Sequence, residues 1–463
     1  MIGGVTGAGF PGDTATRRSG LAGLTPSGRA VVPLGWAFYD FANTIFSYAV
    51  VSFAIGLWLT DDARFGEGGG NLAFSIAIAV SVGLNAIVSP ILGALSDRGG
   101  GRRLPFLLFF TLLCIIPTAL IGLSPPFVGL LLFVVANFAY QAALIYYDAT
   151  LRTVSYPETR GKLSGIGVAI GYCGTIFIGL LIFLLDLPVP SVFFVAAALY
   201  GLFAIPLFLV VRESSLAGAD RPTVRDAVAA LTQLKTTIEH AKAVPGLGRF
   251  LVGRFFYSDA VNTIIVVMSI VATKAMGLTE TVANLILLSL AVVAVLASFG
   301  WGTLVDRLGP KRTLMIVLAS WAVGLVIGGI SLGVPGTLGL VMFLVSGAIL
   351  GSGLGGVQVS DRVLMVRLSP PEQLGAFFGL YGLVGKGSQV IGQLLFGAVV
   401  FLLIGPLGVG AYQVAVLSLL ITMLIGVWLI GPVSDRWSGS GELPAATPPP
   451  ERLSPAAAPI EPR

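Results

Sequence analysis

From about residue 34 to residue 431 the chain alternates long apolar runs with short polar breaks, and the runs show no period-two alternation. Twelve runs fall near 34–60, 71–96, 105–123, 127–149, 164–185, 192–211, 248–273, 281–305, 313–332, 338–359, 375–404 and 408–431. A helix needs about 20 mostly apolar residues to cross about 30 Å of hydrocarbon. Only helices and closed barrels satisfy their backbone groups there. Unalternating runs of this length predict twelve transmembrane α-helices.

Composition agrees with that pattern. Of 463 residues, 56% are hydrophobic and 11% charged, against about 25% charged in a soluble domain. So few charges cannot cover a water-facing surface, which excludes a soluble enzyme and a nucleic-acid binder. The net charge of +5 does not revive the second, because membrane proteins collect Lys and Arg in cytoplasmic loops. With both termini placed in the cytoplasm, 23 of the 27 Lys and Arg residues fall on that side. Arg64 and Lys274 fall outside, and Arg254 and Lys386 lie within helices. Abundant Arg, Ala and Gly suggest a bacterial plasma (inner) membrane.

The remaining segments are tails and linkers. Residues 1–33 and the Pro/Ala-rich 432–463 are expected to be disordered cytoplasmic tails. Residues 212–247 form a central cytoplasmic loop with a surface helix from Val224 to about Lys242, which holds His240 as a solvated side chain. Cys114 and Cys173 sit inside apolar runs and form no paired motif.

The sequence also repeats itself across the central loop. Asp40-x-x-Asn43-Thr44-Ile45 recurs as Asp259-x-x-Asn262-Thr263-Ile264, each with a tyrosine just upstream. Gly93-x-x-x-Asp97-Arg98-x-Gly100-x-Arg102-Arg103 recurs as Gly302-x-x-x-Asp306-Arg307-x-Gly309-x-Lys311-Arg312. Ser155-x-Pro157-Glu158-x-x-Gly161-x-x-x-Gly165 recurs from Ser369 to Gly379. The offsets are 219, 209 and 214 residues, in collinear order. The expected architecture is an all-α membrane protein of two pseudo-symmetric six-helix bundles, 34–211 and 248–431. Six is even, so both halves enter the bilayer in one direction and are related by an axis along its normal, as in the major facilitator fold.

The doubled Gly-x-x-x-Asp-Arg-x-Gly loop is the signature of that superfamily, and Asp97, Arg98, Arg102, Asp306, Arg307 and Arg312 are its expected gating residues. A narrower resemblance follows. Trp36-Ala-Phe-Tyr39-Asp40-Phe-Ala42-Asn43 in helix 1 and Gly248 to Thr263 in helix 7 resemble the vacuole-effluxer-like branch, which includes fungal autophagy-related amino-acid effluxers. Gly353 to Gln358 and Phe377 to Lys386 add to it. The resemblance implies an effluxer or permease of small solutes, with amino acids the best-known class.

Ionisable residues inside a bilayer cost about 2.5–3.5 kcal/mol each on insertion scales, so they default to functional readings. Asp259 and Lys386 are expected roughly 16 Å from the cytoplasmic helix ends, and Asp40 and Arg254 roughly 9 Å. Helical spacing groups Asp40, Asn43, Thr44 and Ser47 on helix 1 and Asp259, Asn262 and Thr263 on helix 7. Lys386, Gln389 and Gln393 share a stripe on helix 11, and Asn137, Tyr140, Gln141 and Asp148 lie on helix 4. The candidate substrate-binding or coupling residues are Asp40, Asn43, Tyr140, Gln141, Arg254, Asp259, Asn262, Lys386 and Gln389. Acids and bases facing one cavity suit a zwitterion such as an amino acid; an interhelical salt-bridge network is the structural alternative.

The expected function is secondary transport by alternating access, driven by a gradient with protons as the candidate coupling ion. Facilitated diffusion stays open. A multidrug or metabolite exporter and a non-transporting sensor or scaffold of the same fold are the rivals. No catalytic triad, metal cluster or nucleotide loop is visible, so neither enzyme chemistry nor a cofactor is expected. The expected partners are a small-molecule substrate and the lipid bilayer, with a monomeric chain.

Overall fold

The computed structural model describes residues 20–98, 102–213 and 234–434. Twelve long helices dominate them, and no strand occurs among the described residues. The first half holds α1 (Val31–Thr60), α2 (Gly66–Arg98), α3 (Leu104–Ile121), α4 (Pro126–Val154), α5 (Arg160–Leu184) and α6 (Val189–Val210). The second holds α7 (Leu247–Ile270), α8 (Glu280–Leu308), α9 (Pro310–Ser331), α10 (Gly336–Leu368), α11 (Leu374–Leu407) and α12 (Gly410–Ile430). Among the described residues ten of the twelve carry spans long and apolar enough to cross a membrane; α11 carries a shorter apolar stretch, Leu395–Leu407, and α7 packs on α11 and α12. Large apolar side chains such as Leu72, Ile87, Phe183, Leu209 and Phe401 stand exposed on the perimeter, the arrangement hydrocarbon favours.

Helix ends follow local chemistry. Proline opens α4, α6 and α9, where the missing N–H is one of the orphan donors of a first turn. Gly309 joins α8 to α9 at φ 87°, a conformation that disfavours any side chain with a Cβ. Nine of the helices are longer than the apolar runs predict, and α3, α7 and α12 are slightly shorter. In particular α10 continues nine residues past the expected end at 359 and carries Asp361 and Arg362 into the protein interior.

The packing of one half repeats in the other. α1 packs on α5 and α6, as α7 does on α11 and α12; α3 packs on α4, as α9 does on α10. The halves meet along two seams, α2 with α11 and α5 with α8. Both seams are lined with glycine at the end that carries the motif loops. A Cβ on Gly93 would collide with the Gly375 carbonyl oxygen, and one on Gly161 would come within 2.6 Å of the Gly302 carbonyl oxygen. Backbones approach this closely only where side chains are absent.

Two boundaries differ from expectation. Ordered structure starts before residue 34: Gly20–Leu24 forms a 3-10 turn, and the Leu24 carbonyl accepts from Thr159 Oγ1 at 2.8 Å. The helix of the central loop is described from Leu234 to Ala243; the expected start at Val224 lies outside the described residues, as do 1–19 and 435–463.

Candidate functional site

α1 is anchored before it offers anything to a ligand. Trp36 and Tyr39 are fully buried and both stack on Tyr147 of α4, with ring centroids 4.7 and 4.9 Å away. Trp36 Nε1 donates to Thr150 Oγ1 at 3.0 Å, and Tyr200 of α6 donates to Asn43 Oδ1 at 2.7 Å. Gly171 and Gly174 of α5 let α1 approach closely, so that Thr44 donates to the Gly171 carbonyl. The helix-1 signature is therefore mostly a packing device, and Asp40 is the member it delivers to the centre. Directly after it the helix widens into a π-helical stretch, Phe46–Ala54.

Asp40 opens onto a cavity of about 440 Å³ between the halves. Its walls come from both halves: Asn43, Ser47, Tyr140, Gln141 and Asp148 from α1 and α4, and Arg254, Asn262, Asp361, Arg362 and Lys386 from α7, α10 and α11. Of the sequence candidates, Asp40, Asn43, Tyr140, Gln141, Arg254, Asn262 and Lys386 line it. Asp259 does not: it is buried off the cavity, against Gly392 of α11. Asn137 is likewise turned away and donates to Ser81 at 2.7 Å. The side chains of Gln389 and Gln393 lie outside the described residues.

Among the described residues six charged side chains line the cavity, and they are unevenly paired. Arg362 Nη1 meets Asp40 Oδ2 at 3.3 Å, and its Nε meets Asp148 Oδ1 at 3.1 Å. One guanidinium thus serves two carboxylates and ties α10 of one half to α1 and α4 of the other. Arg254 Nε meets Asp361 Oδ2 at 3.2 Å, and its guanidinium lies 3.5 Å over the ring of Tyr381. Tyr381 and Tyr257 both donate to Asp361, at 2.8 and 3.4 Å. Lys386 has no ion pair among the described residues. The lining therefore sums to zero but is dipolar: one negative charge in excess around Asp40, Asp148 and Arg362, and one positive charge at Lys386.

Asp361 and Arg362 are absent from the sequence candidates because the apolar run fades at 359, where hydropathy reads the start of a loop, whereas the helix continues to Leu368. The internal repeat was the signal that could have found them. Arg362 is 214 residues beyond Asp148, the same offset that relates Ser369 to Ser155, so the two are equivalent positions of the repeat.

The motif loops close one end of the cavity. Asp97 accepts from the backbone N–H groups of Gly375 and Ala376 at 3.0 and 2.8 Å, at the start of α11. Asp306 accepts from those of Gly161 and Lys162 at 2.8 and 2.9 Å, at the start of α5. A carboxylate at a helix N-terminus satisfies orphan donors and meets the positive end of the helix dipole. Each latch crosses from one half to the other. Asp97 also takes Arg103 Nη2 at 3.3 Å, whereas Arg102 is exposed. In the second loop Lys311 reaches the Gly431 carbonyl at 2.7 Å, while Arg307 and Arg312 are exposed and the Arg98 side chain lies outside the described residues.

Comparison with known proteins agrees with this architecture. Residues 152–435 match the family described as vacuole effluxer Atg22-like. The chain is 28% identical over 424 residues to an uncharacterized MFS-type transporter, YxiO, of Bacillus subtilis (strain 168), covering 87% of this chain and 95% of that one. It is 27% identical over 262 residues to autophagy-related protein 22 of Coccidioides immitis (strain RS), of which it spans 43%. Among solved structures, the human organic anion transporter MFSD10 superposes with a TM-score of 0.67 at 16% identity, covering 86% of this chain and 98% of that one. The proton:xylose symporter XylE superposes with a TM-score of 0.65 at 14% identity, covering 88% and 96%.

Proposed function

The chain belongs to the vacuole effluxer Atg22-like family of major facilitator transporters, and on that premise we propose that it carries a small zwitterion, of the amino-acid class, by alternating access. The uneven charge pairing in the cavity carries this reading. A substrate ammonium group is drawn to the carboxylates of Asp40 and Asp148, which share one guanidinium. A substrate carboxylate is drawn to Lys386, which lines the same cavity and has no ion pair among the described residues. Opposite charges held apart by protein favour a ligand that carries both, since a singly charged ligand leaves one end uncompensated.

Fixed charge on this scale weighs against a hydrophobic-drug exporter, whose pocket is expected to be predominantly apolar. The solved relatives of the same fold carry organic anions in one case and xylose in another, so fold alone does not select the cargo. The Arg362 bridge and the Asp97 and Asp306 latches all cross between halves, which suits a rocking motion that breaks them on one side of the cycle. A gradient supplies the driving force, in a bacterial inner membrane with the motif loops and both termini facing the cytoplasm. The Lys and Arg asymmetry of the loops supports that orientation.

The test is counterflow in proteoliposomes of the full chain. Vesicles preloaded with a mixture of unlabelled amino acids are expected to accumulate a labelled member transiently, and vesicles preloaded with sugars are not. Equal labelled uptake with both loads, or none with either, contradicts the reading.

A further inference from the structure

Arg160 opens α5 and stands where a cation is disfavoured on three counts. It is 8% exposed, and its Nε has no hydrogen-bond partner among the described residues. It begins a helix, at the positive end of the dipole, and the first turn carries no acidic residue. The charges that act on it most strongly are two further guanidinium groups, Arg152 in the last turn of α4 and Arg367 in the last turn of α10. A buried carboxylic acid can become neutral by taking up a proton, but arginine keeps its charge.

Packing does not demand that charge. The repeat sets Leu374, fully buried at the start of α11, 214 residues beyond Arg160, so an apolar side chain fills the equivalent position of the other half. The nearby acids are committed or in water. Asp306 feels Arg367, yet its oxygens serve the N–H groups of Gly161 and Lys162, and it forms no ion pair with Arg160 among the described residues. Glu158, the carboxylate that acts on Arg160, is exposed. Arg152 feels Glu372, which is also exposed, and Arg103, which pairs with Asp97. A buried charge without a partner is strongly disfavoured, so the cluster calls for an anion from outside the chain. Arg152 and Arg367 are half-buried, which leaves the cluster a side open to water.

We infer that Arg152, Arg160 and Arg367 form a binding site for a phosphate group, at the end of the molecule that carries the motif loops and apart from the substrate cavity, which none of them lines. Guanidinium groups bind phosphate oxygens in pairs, and a phosphate offers more acceptor oxygens than a carboxylate, which suits three such groups. Arg152 and Arg160 belong to the first half and Arg367 to the second, so a bound phosphate ties the halves together beside the Asp306 latch. The group comes either as a free phosphate ion or on the headgroup of an anionic lipid. The site is independent of what the substrate cavity carries.

Thermal unfolding of the full chain in detergent tests it in two arms. One compares sodium phosphate with sodium chloride at equal ionic strength, and the other compares mixed micelles of phosphatidylglycerol with those of phosphatidylcholine. A rise in Tm is expected in at least one arm, and the arm identifies the source. Phosphate also stabilises folded proteins by exclusion from their surface, so the reading is the part of the rise that Arg160→Gln removes. That variant is expected to lose the specific rise or to raise the half-saturating concentration roughly tenfold or more. The thermal shift with amino acids is expected to survive in it, so the cavity reading and this one fail separately. No rise in either arm, or a rise that Arg160→Gln keeps in full, overturns the inference. Should Arg160→Gln fail to fold, the half-buried Arg152→Gln is expected to weaken the same rise, and an unchanged rise in that variant contradicts the assignment.

Discussion

Asp148 of α4 and Arg362 of α10 hold equivalent positions in the two halves, and their side chains meet at 3.1 Å. A repeat thus places an acid and a base opposite each other across the pseudo-symmetry axis, where identical residues would repel. Asp40 joins the same guanidinium at 3.3 Å. The bridge spans the centre of the molecule, so it is both part of the cavity wall and a tie between the moving halves.

Arg362→Ala leaves two buried carboxylates facing each other. Removing one partner of a buried pair costs about 3–5 kcal/mol, and the expected result is a fall of several degrees in Tm. In Asp40→Asn/Asp148→Asn/Arg362→Gln, with the charges removed together, Tm is expected to recover most of that loss while transport stays absent. Thermal unfolding in detergent and counterflow read the two effects separately. A single variant as stable as the wild type would show that the bridge is not a structural tie.

Asp97→Asn is expected to loosen the end of the cavity that the motif loops close. The carboxylate serves two N–H groups of α11 and Arg103, and a charge at a helix N-terminus is worth about 1 kcal/mol, up to about 2 where partly buried. The population open at that end should rise about fivefold to thirtyfold. Spin labels at the exposed positions Arg102 and Glu372 would report it as a new, longer distance in the pair distribution. Asp306→Asn should act in the same direction, because it caps α5 as Asp97 caps α11. An unchanged distribution in both variants would remove the latches from gating.

Lys386→Gln and Asp148→Asn are expected to weaken opposite ends of one ligand. A charge-assisted hydrogen bond contributes about 1.5–3 kcal/mol, so each variant should lower apparent affinity for an amino acid roughly tenfold to a hundredfold. The two differ in what they still tolerate. Lys386→Gln should lose discrimination against amides of the amino acid, and Asp148→Asn should lose discrimination against deaminated acids. Competition counterflow measures both preferences, and equal losses against all analogues would mean a general structural effect.

Much of the architecture was legible because bilayer physics imposes it. The apolar runs are long, and each half repeats Asp-x-x-Asn-Thr-Ile, so helices and pseudo-symmetry follow from the sequence pattern. Lys386 could be picked out because a lysine inside an apolar run has few structural explanations. The pairing was harder to see. Asp361 and Arg362 stand where the apolar run fades, and hydropathy cannot distinguish a buried charged pair from the start of a loop. The orientation of Asp259 depended on Gly392 of α11, 133 residues away, and a stripe on one helix does not say which neighbour it meets. Likewise the motif pointed to Arg102 as the gating residue, whereas packing turns Arg103 inward to Asp97 and leaves Arg102 exposed.

The central claim is that the cavity is built for opposite charges on one small ligand. Thermal shift of the purified chain with each amino acid, its decarboxylated amine and its deaminated acid tests that most directly. At least one amino acid is expected to raise Tm while its amine and its acid do not. Stabilisation by the amine or the acid alone to the same extent, or by none of the three across the panel, would contradict the account.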